Sequence, residues 1–263
     1  MGSAPSTPYC RLLVPAYFAW HSPEGKQSFS TLLDGLKLVP DSVVILNASS
    51  GPAPADWPFH ADLQAYAEQL HGASLHCVAY VWTDYGKRAI ADVLADMKAW
   101  TECVPASCFD GFFFDCVSLE YDTLSYYSSL CKEGTLLLEG RHVHVLNPGI
   151  NCDDPAIARS LQGMSDIMVW FESDCRHYDR LEHKKNCYSS TDPTLIIPKE
   201  RDDSQSSAVM IHDCVSWRST YQQLTKSPVR YIYITNHTLN SNPWLDLPLY
   251  WMELCQTISA KKR

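Results

Sequence analysis

The run Phe109-Asp110-Gly111-Phe112-Phe113-Phe114-Asp115-Cys116 limits the possible folds more than any other stretch of the chain. Three consecutive Phe residues leave no polar face, so the segment cannot be a strand with one side in water. A short, unbroken apolar run reads as a strand covered on both faces, the situation in a parallel sheet flanked by helices. It stops at a carboxylate. A charge at the end of a buried strand is costly unless something pairs it or uses it. Asp115 therefore has two readings, a helix cap or turn residue and a functional acid. Other strands that end in the same way would favour the second.

The rest of the chain repeats the alternation of apolar run and helical pattern. Strand candidates fall at residues 11–18, 42–47, 75–82, 109–116, 142–146, 166–171, 208–212 and 230–235. Between them, apolar residues recur at helical spacing over 28–39, 62–70, 88–101, 123–132, 155–161 and 217–225, and a last helix follows Asn242-Pro243-Trp244. Residues 177–207 are polar and aperiodic, read as a long loop with one irregular helix. Eight short strands alternating with helices in 263 residues predict an α/β chain folded as a single-domain (β/α)8 TIM-type barrel. A doubly wound open sheet is the other candidate. It would want a Gly-rich phosphate loop after the first strand, and Val14-Pro15-Ala16-Tyr17 is not one. Residues 10–263 form the expected barrel domain. Residues 1–9 are expected to be a disordered lead or the remnant of a removed segment.

With 21 basic against 30 acidic side chains the net charge is −9, which argues against nucleic acid as a partner because phosphate binding needs clustered Lys and Arg. No run approaches the ~18–20 apolar residues of a membrane span, so no membrane insertion is expected. Eleven Cys cannot all pair internally. Most lie inside apolar segments, which fits reduced, buried thiols and a cytoplasmic location. A secreted or cell-surface location is the alternative if a signal segment was removed. Cys103 and Cys108 have a spacing at which they could approach across a loop. No CxxC pair occurs, and neither a metal nor a cofactor is expected.

In (β/α)8 barrels the active site lies at the C-terminal ends of the strands. Those ends carry Tyr17, Asn47, Tyr80 with Thr83, Asp115, Asn147, Glu172, His212 and Thr235. Two carboxylates, hydrogen-bonding amides and hydroxyls, and aromatic rings at one mouth suit a sugar. Carboxylates from nearby, non-adjacent strands can stand about 5 to 6 Å apart, the separation needed for glycoside hydrolysis with retention. The competing reading is that each carboxylate pairs with an Arg such as Arg88 or caps the next helix.

The chain resembles the spherulin-4-like proteins, a glycoside hydrolase family built on the (β/α)8 barrel. The resemblance rests on an ordered set of segments: Val14-Pro15-Ala16-Tyr17, Asn47-Ala48-Ser49-Ser50-Gly51-Pro52, residues 79–88 (AYVWTDYGKR), 110–115 (DGFFFD), Asn147-Pro148-Gly149, Val169-Trp170-Phe171-Glu172 and 242–251 (NPWLDLPLYW). It implies an endo-acting, retaining hydrolase of α-1,4-linked galactosamine or N-acetylgalactosamine polymers, with a hexosamine-containing carbohydrate as partner. It implies Asp115 as nucleophile or electrostatic stabiliser and Glu172 as acid/base. Tyr17, Asn47, Tyr80, Thr83, Arg88, Cys116, Asn147, His212 and Trp244 would shape the substrate subsites. Two departures stand out. The family usually reads Asp-Glu where this chain has Asp115-Cys116, and Asn-Pro where it has Asn47-Ala48. Loss of the second carboxylate opens an alternative, a catalytically impaired carbohydrate-binding barrel. A third reading makes Cys116 a nucleophile served by His144 or His212. Strand alternation argues against it, because it turns Cys116 away from the face of Asp115, as a buried thiol towards the helices. Sequons at Asn47 and Asn236 fall at strand ends facing the pocket, where chance is the better explanation.

Overall fold

The computed structural model describes residues 10–138, 143–150, 152–186 and 206–260. Eight parallel strands close on themselves in chain order: β1 Arg11–Ala16, β2 Val43–Leu46, β3 His76–Trp82, β4 Gly111–Asp115, β5 Val145–Asn147, β6 Ile167–Asp174, β7 Ser206–His212 and β8 Tyr231–Ile234. Each is followed by a helix: α1 Pro23–Leu36, α2 His60–Gly72, α3 Ile90–Cys103, α4 Leu124–Leu137, α5 Pro155–Met164, α6 Cys175–Asn186, α7 Trp217–Leu224 and α8 Trp251–Ala260. The ring is sealed where Arg11 and Leu12 pair with Tyr231 and Ile232. This is the (β/α)8 barrel. Val43 to Leu46 and Phe112 to Phe114 are buried to the last side chain, as strands walled by their neighbours inside and helices outside must be. None of the described helices is long and apolar enough to cross a membrane.

Local chemistry sets the helix starts. α1 begins five residues before the apolar periodicity does, because Ser22 accepts a hydrogen bond from the Gly25 N–H and Pro23 occupies the first turn. α5 starts the same way, with Asp154 accepting from the N–H groups of Ala156 and Ile157 ahead of Pro155. α6 occupies the start of the segment expected to be a long loop with one irregular helix, and it is capped by Asp174, whose Oδ1 accepts from the His177 N–H at 2.9 Å. The remainder of that segment, 187–205, lies outside the described residues, as do residues 1–9 and 142.

Two strands end two or more residues away from the sequence pattern. β1 stops at Ala16 rather than residue 18, because the Tyr17 N–H leaves the ladder and donates to the Trp244 carbonyl at 3.2 Å. β6 runs on to Asp174, and its register against β7 slips between Val169 and Phe171. Trp170 is the extra residue of a bulge. A bulge re-aims the side chains beyond it, and Glu172 lies two residues further on.

β4 owes its place to Gly111. A Cβ there would stand 2.6 Å from the Val143 carbonyl carbon and closer still to its oxygen, both backbone atoms that cannot swing aside. Gly111→Ala is therefore expected to destabilise the fold by ~1–3 kcal/mol, the scale of overpacking a tight interior. Urea unfolding checks this, and a midpoint equal to the parent's would refute it.

Candidate functional site

Register brings the site together. Trp82, Asp115 and Asn147 are consecutive partners across β3, β4 and β5. Asn147 is almost wholly buried, and its amide is locked in orientation. Its Oδ1 accepts the Gly149 N–H at 3.0 Å, a short turn that Gly149 permits with φ +70°. Nδ2 must then face the other way, where it donates to Asp115 Oδ1 at 2.7 Å and to Glu172 Oε2 at 2.6 Å. One amide nitrogen thus bridges the two carboxylates. The same turn carries Glu172, whose backbone N–H donates to the Gly149 carbonyl at 3.0 Å.

Each acid has further donors. The Tyr80 hydroxyl donates to Asp115 Oδ2 at 2.7 Å, and the Cys116 N–H donates to the same carboxylate. The Trp244 side chain donates to Glu172. The two acids nevertheless differ. Burial and then the charge of Asp115 push Glu172 up to about 7, against the pull of the Asn147 and Trp244 hydrogen bonds. Burial also raises Asp115, opposed by its bonds from Tyr80, the Cys116 N–H and Asn147. Near neutral pH the pair is thus one ionised carboxylate beside one acid poised to hold a proton, the division of labour that general acid/base chemistry needs. Tyr17 meets Tyr80 edge to face at 5.6 Å. Burial, followed by the charge of Asp115, keeps both phenols protonated.

The other expected site residues divide into those that face the pocket and those that support it. Trp244 lies against His212 and Tyr233 at ring distances of 6.1 and 5.8 Å. Buried His212 has an Nδ1 with no hydrogen-bond partner among the described residues, and burial lowers its pKa, so it is a neutral wall. Asn47 holds its own loop, with Oδ1 accepting the Gly51 N–H at 3.1 Å and its carbonyl accepting from Trp20 Nε1. Thr83 needs correcting as a substrate contact. It is fully buried, and its hydroxyl is bonded at 2.8 Å to the carbonyls of Asp115 and Cys116, so it positions the end of β4 instead of touching a ligand. Arg88 neutralises neither carboxylate. It pairs with Asp96 at 2.7 Å, donates to the Trp82 carbonyl and lies over the Trp82 ring, which makes it a brace for the pocket rim.

Cys116 also departs from the strand pattern. Its φ of +54° ends the alternation at Asp115, so the thiol is half-buried and not a core group facing the helices. The side chains of Tyr85 and Trp82 hydrogen-bond to the sulfur, while burial and the charge of Asp115 hold the thiol above its ordinary pKa. A nucleophilic cysteine needs the opposite shift. His144, one of its two candidate bases, has its nitrogens engaged by the Phe112 N–H and Thr135 Oγ1. Sequence reasoning missed Trp82 and Tyr85 as rim residues. They are 41% and 51% exposed, unusual for aromatics in so apolar a setting. The available signal was the Asp84-Tyr85-Gly86 turn, in which all three residues have positive φ. Cys103 and Cys108 make separate contacts, with the Ala53 carbonyl and with Ser107. Among the described residues no cluster of three or more His, Cys, Asp or Glu is arranged to hold a metal ion.

Comparison with known proteins adds lineage to this geometry. The model of the spherulation-specific family 4 matches residues 11–258. Spherulin-4 of Physarum polycephalum is 30% identical over 193 residues, which are 72% of this chain and 50% of that protein. The chain therefore spans about half the length of this relative. Among solved structures, Aspergillus clavatus Sph3 in complex with GalNAc superposes with a TM-score of 0.74 at 22% identity, over 97% of this chain and 100% of that one. A maltogenic α-amylase, AmyB from Thermotoga neapolitana, superposes with a TM-score of 0.54 at 11% identity, over 98% and 77% of the two chains. At such identities these two likenesses speak for the barrel fold.

Proposed function

The chain belongs to the spherulation-specific family 4, and from that membership and the geometry of its carboxylates we propose that it is a retaining, endo-acting glycoside hydrolase of hexosamine-containing polysaccharide. The bridge through Asn147 carries this reading. The nearest oxygens of the pair, Asp115 Oδ1 and Glu172 Oε2, cannot be farther apart than the two hydrogen bonds that meet at one nitrogen, 2.7 and 2.6 Å. That limit falls at the ~5–5.5 Å of retaining pairs and short of the ~6.5–9.5 Å of inverting ones, which must also admit a water. Glu172, holding its proton near neutral pH, protonates the glycosidic oxygen as the bond to the leaving sugar breaks. Asp115 attacks the anomeric carbon from the opposite face and forms the glycosyl-enzyme. Glu172, now ionised, takes a proton from water, and the resulting hydroxide displaces Asp115 and restores the original anomer. Tyr17, Tyr80 and Trp244 offer ring faces to the pyranose, and the exposed Trp82 and Tyr85 extend that surface along the rim. The GalNAc bound by Aspergillus clavatus Sph3 supports an amino sugar as substrate, and the family resemblance makes it α-1,4-linked galactosamine or N-acetylgalactosamine. A net charge of −9 favours the cationic, deacetylated form through long-range attraction.

Incubation with α-1,4-galactosamine and N-acetylgalactosamine oligomers, with products followed by NMR, tests the proposal. Shorter oligomers with α configuration at the new reducing end are expected. Initial β products would refute retention. Cys116 favours one other reading, because Asp115 lacks the neighbouring carboxylate that the family resemblance implies. Oligosaccharide binding by calorimetry without turnover would make the chain a carbohydrate-binding barrel.

A further inference from the structure

We infer that Cys175 and Cys214 are a disulfide-forming pair, which on reaction with a low-molecular-weight disulfide fastens the end of β6 to the chain leaving β7. Their sulfurs are 2.6 Å apart. Non-bonded carbon atoms rest at ~3.5–4.0 Å and sulfur is larger, whereas a disulfide bond is ~2.03–2.05 Å. Two thiols do not rest at such a separation, and a small inward movement completes the covalent bond.

The fold explains why these two meet. Asp174 at the end of β6 stands in register with His212 at the end of β7, and the cysteines follow one and two residues later. Asp213, with φ +52°, turns the chain so that Cys214 faces back. Three hydrogen bonds hold it there: the Asp213 N–H to the His237 carbonyl at 2.7 Å, the Cys214 N–H to the Thr235 carbonyl at 2.9 Å, and the Tyr250 hydroxyl to the Cys214 carbonyl at 2.7 Å. Cys175 is fixed on the other side as the first residue of α6, directly after its capping Asp174. Thr220 Oγ1 lies 3.4 and 3.3 Å from the two sulfurs and closes the group. The two thiols are also unequal. The close contact between them lowers the pKa of Cys175 and raises that of Cys214. Cys175 also keeps 4% of its surface exposed, against none for Cys214. Cys175 is therefore the attacking thiolate.

With oxidised glutathione as the reagent, the Cys175 thiolate attacks one reagent sulfur, and the first glutathione leaves as a thiolate. Cys214 then gives up its proton and attacks the Cys175 sulfur of the mixed disulfide, expelling the second glutathione. Two electrons pass from the protein sulfurs to the reagent, and the two thiol protons end on two glutathione thiols. The step is independent of any glycosidase activity.

The test incubates the full chain with oxidised glutathione, alkylates remaining thiols with N-ethylmaleimide in denaturant, and maps the peptides with and without reduction. A Cys175–Cys214 cross-linked peptide that reduction removes is expected, together with a Tm about 5–15 °C above that of the reduced protein. Cys175→Ser and Cys214→Ser should each abolish that cross-link. Recovery of both cysteines as alkylated or glutathione adducts in the untouched sequence, or a cross-link between other cysteines, overturns the inference without need of the variants.

Discussion

Replacing Asp115 by Asn is expected to slow hydrolysis of hexosamine oligomers by ~10⁴-fold or more while the barrel stays folded, the scale seen when a covalent nucleophile's machinery is deleted. The substitution keeps the shape of the side chain and one oxygen to accept a hydrogen bond, so Tyr80 and Asn147 lose little of their packing. It removes the charge that attacks the anomeric carbon. The same change also acts on the partner acid. Asp115 is the second largest influence holding Glu172 near 7, after burial. Without that charge, Glu172 should ionise at lower pH than in the parent, which a carboxyl ¹³C NMR titration measures. A D115N variant that retained activity within about tenfold of the parent would remove Asp115 from the proposed mechanism.

The Glu172→Gln change is expected to cost ~10²–10⁴-fold in kcat/KM for substrates with a poor leaving group, the usual contribution of general acid catalysis. The parent's pH profile follows from the same proton. Glu172 works only while protonated and Asp115 only while ionised, so kcat/KM should fall as pH rises past about 7 and fall again in acid as Asp115 takes up its proton. Stability depends on the same proton. The folded protein holds the Glu172 proton up to about 7, while the unfolded chain releases it near ~4.3. The native state therefore binds more protons across that window, and its stability declines as pH rises through it. Below the window the penalty is absent; above it the penalty is complete. Gln cannot ionise and escapes it. At pH 8 the variant should be more stable than the parent by up to ~3 kcal/mol, a rise of several degrees in Tm, and at pH 4 the two should melt together. Calorimetry at both pH values distinguishes this from a general packing effect, which would not depend on pH.

The barrel could be read from the chain because its strands are buried on both faces, and burial of that kind writes itself into sequence as unbroken apolar runs such as Phe112 to Phe114. Convergence of Asp115, Asn147 and Glu172 followed from that pattern and from the rule that strand ends meet at one mouth. What lay beyond reading is backbone detail. Nothing in Asp115-Cys116 announces the left-handed turn at Cys116, and a strict alternation puts its thiol on the wrong side. The bulge at Trp170 likewise leaves no trace in an apolar run. Thr83 looked like a substrate ligand because hydroxyls bind sugars, but the carbonyls of Asp115 and Cys116 reach it first. Asn147 was legible as a polar strand end. Its role as a bridge depends on Gly149 fixing the amide, a relation visible only once the turn is folded.

The seal between β1 and β8 has a consequence for how the protein is made. Leu12 pairs with Ile232, so an emerging chain carries an open sheet edge on β1 until β8 has been made. Contacts this distant in sequence form slowly, and an unpaired strand edge can recruit other chains meanwhile. The carboxylates come from β4 and β6, yet Trp244, which bonds to Glu172, follows β8 in the chain. Assembly of the pocket therefore coincides with closure of the ring, and a ribosome stalled before β8 would release a chain with both acids present and neither held in place.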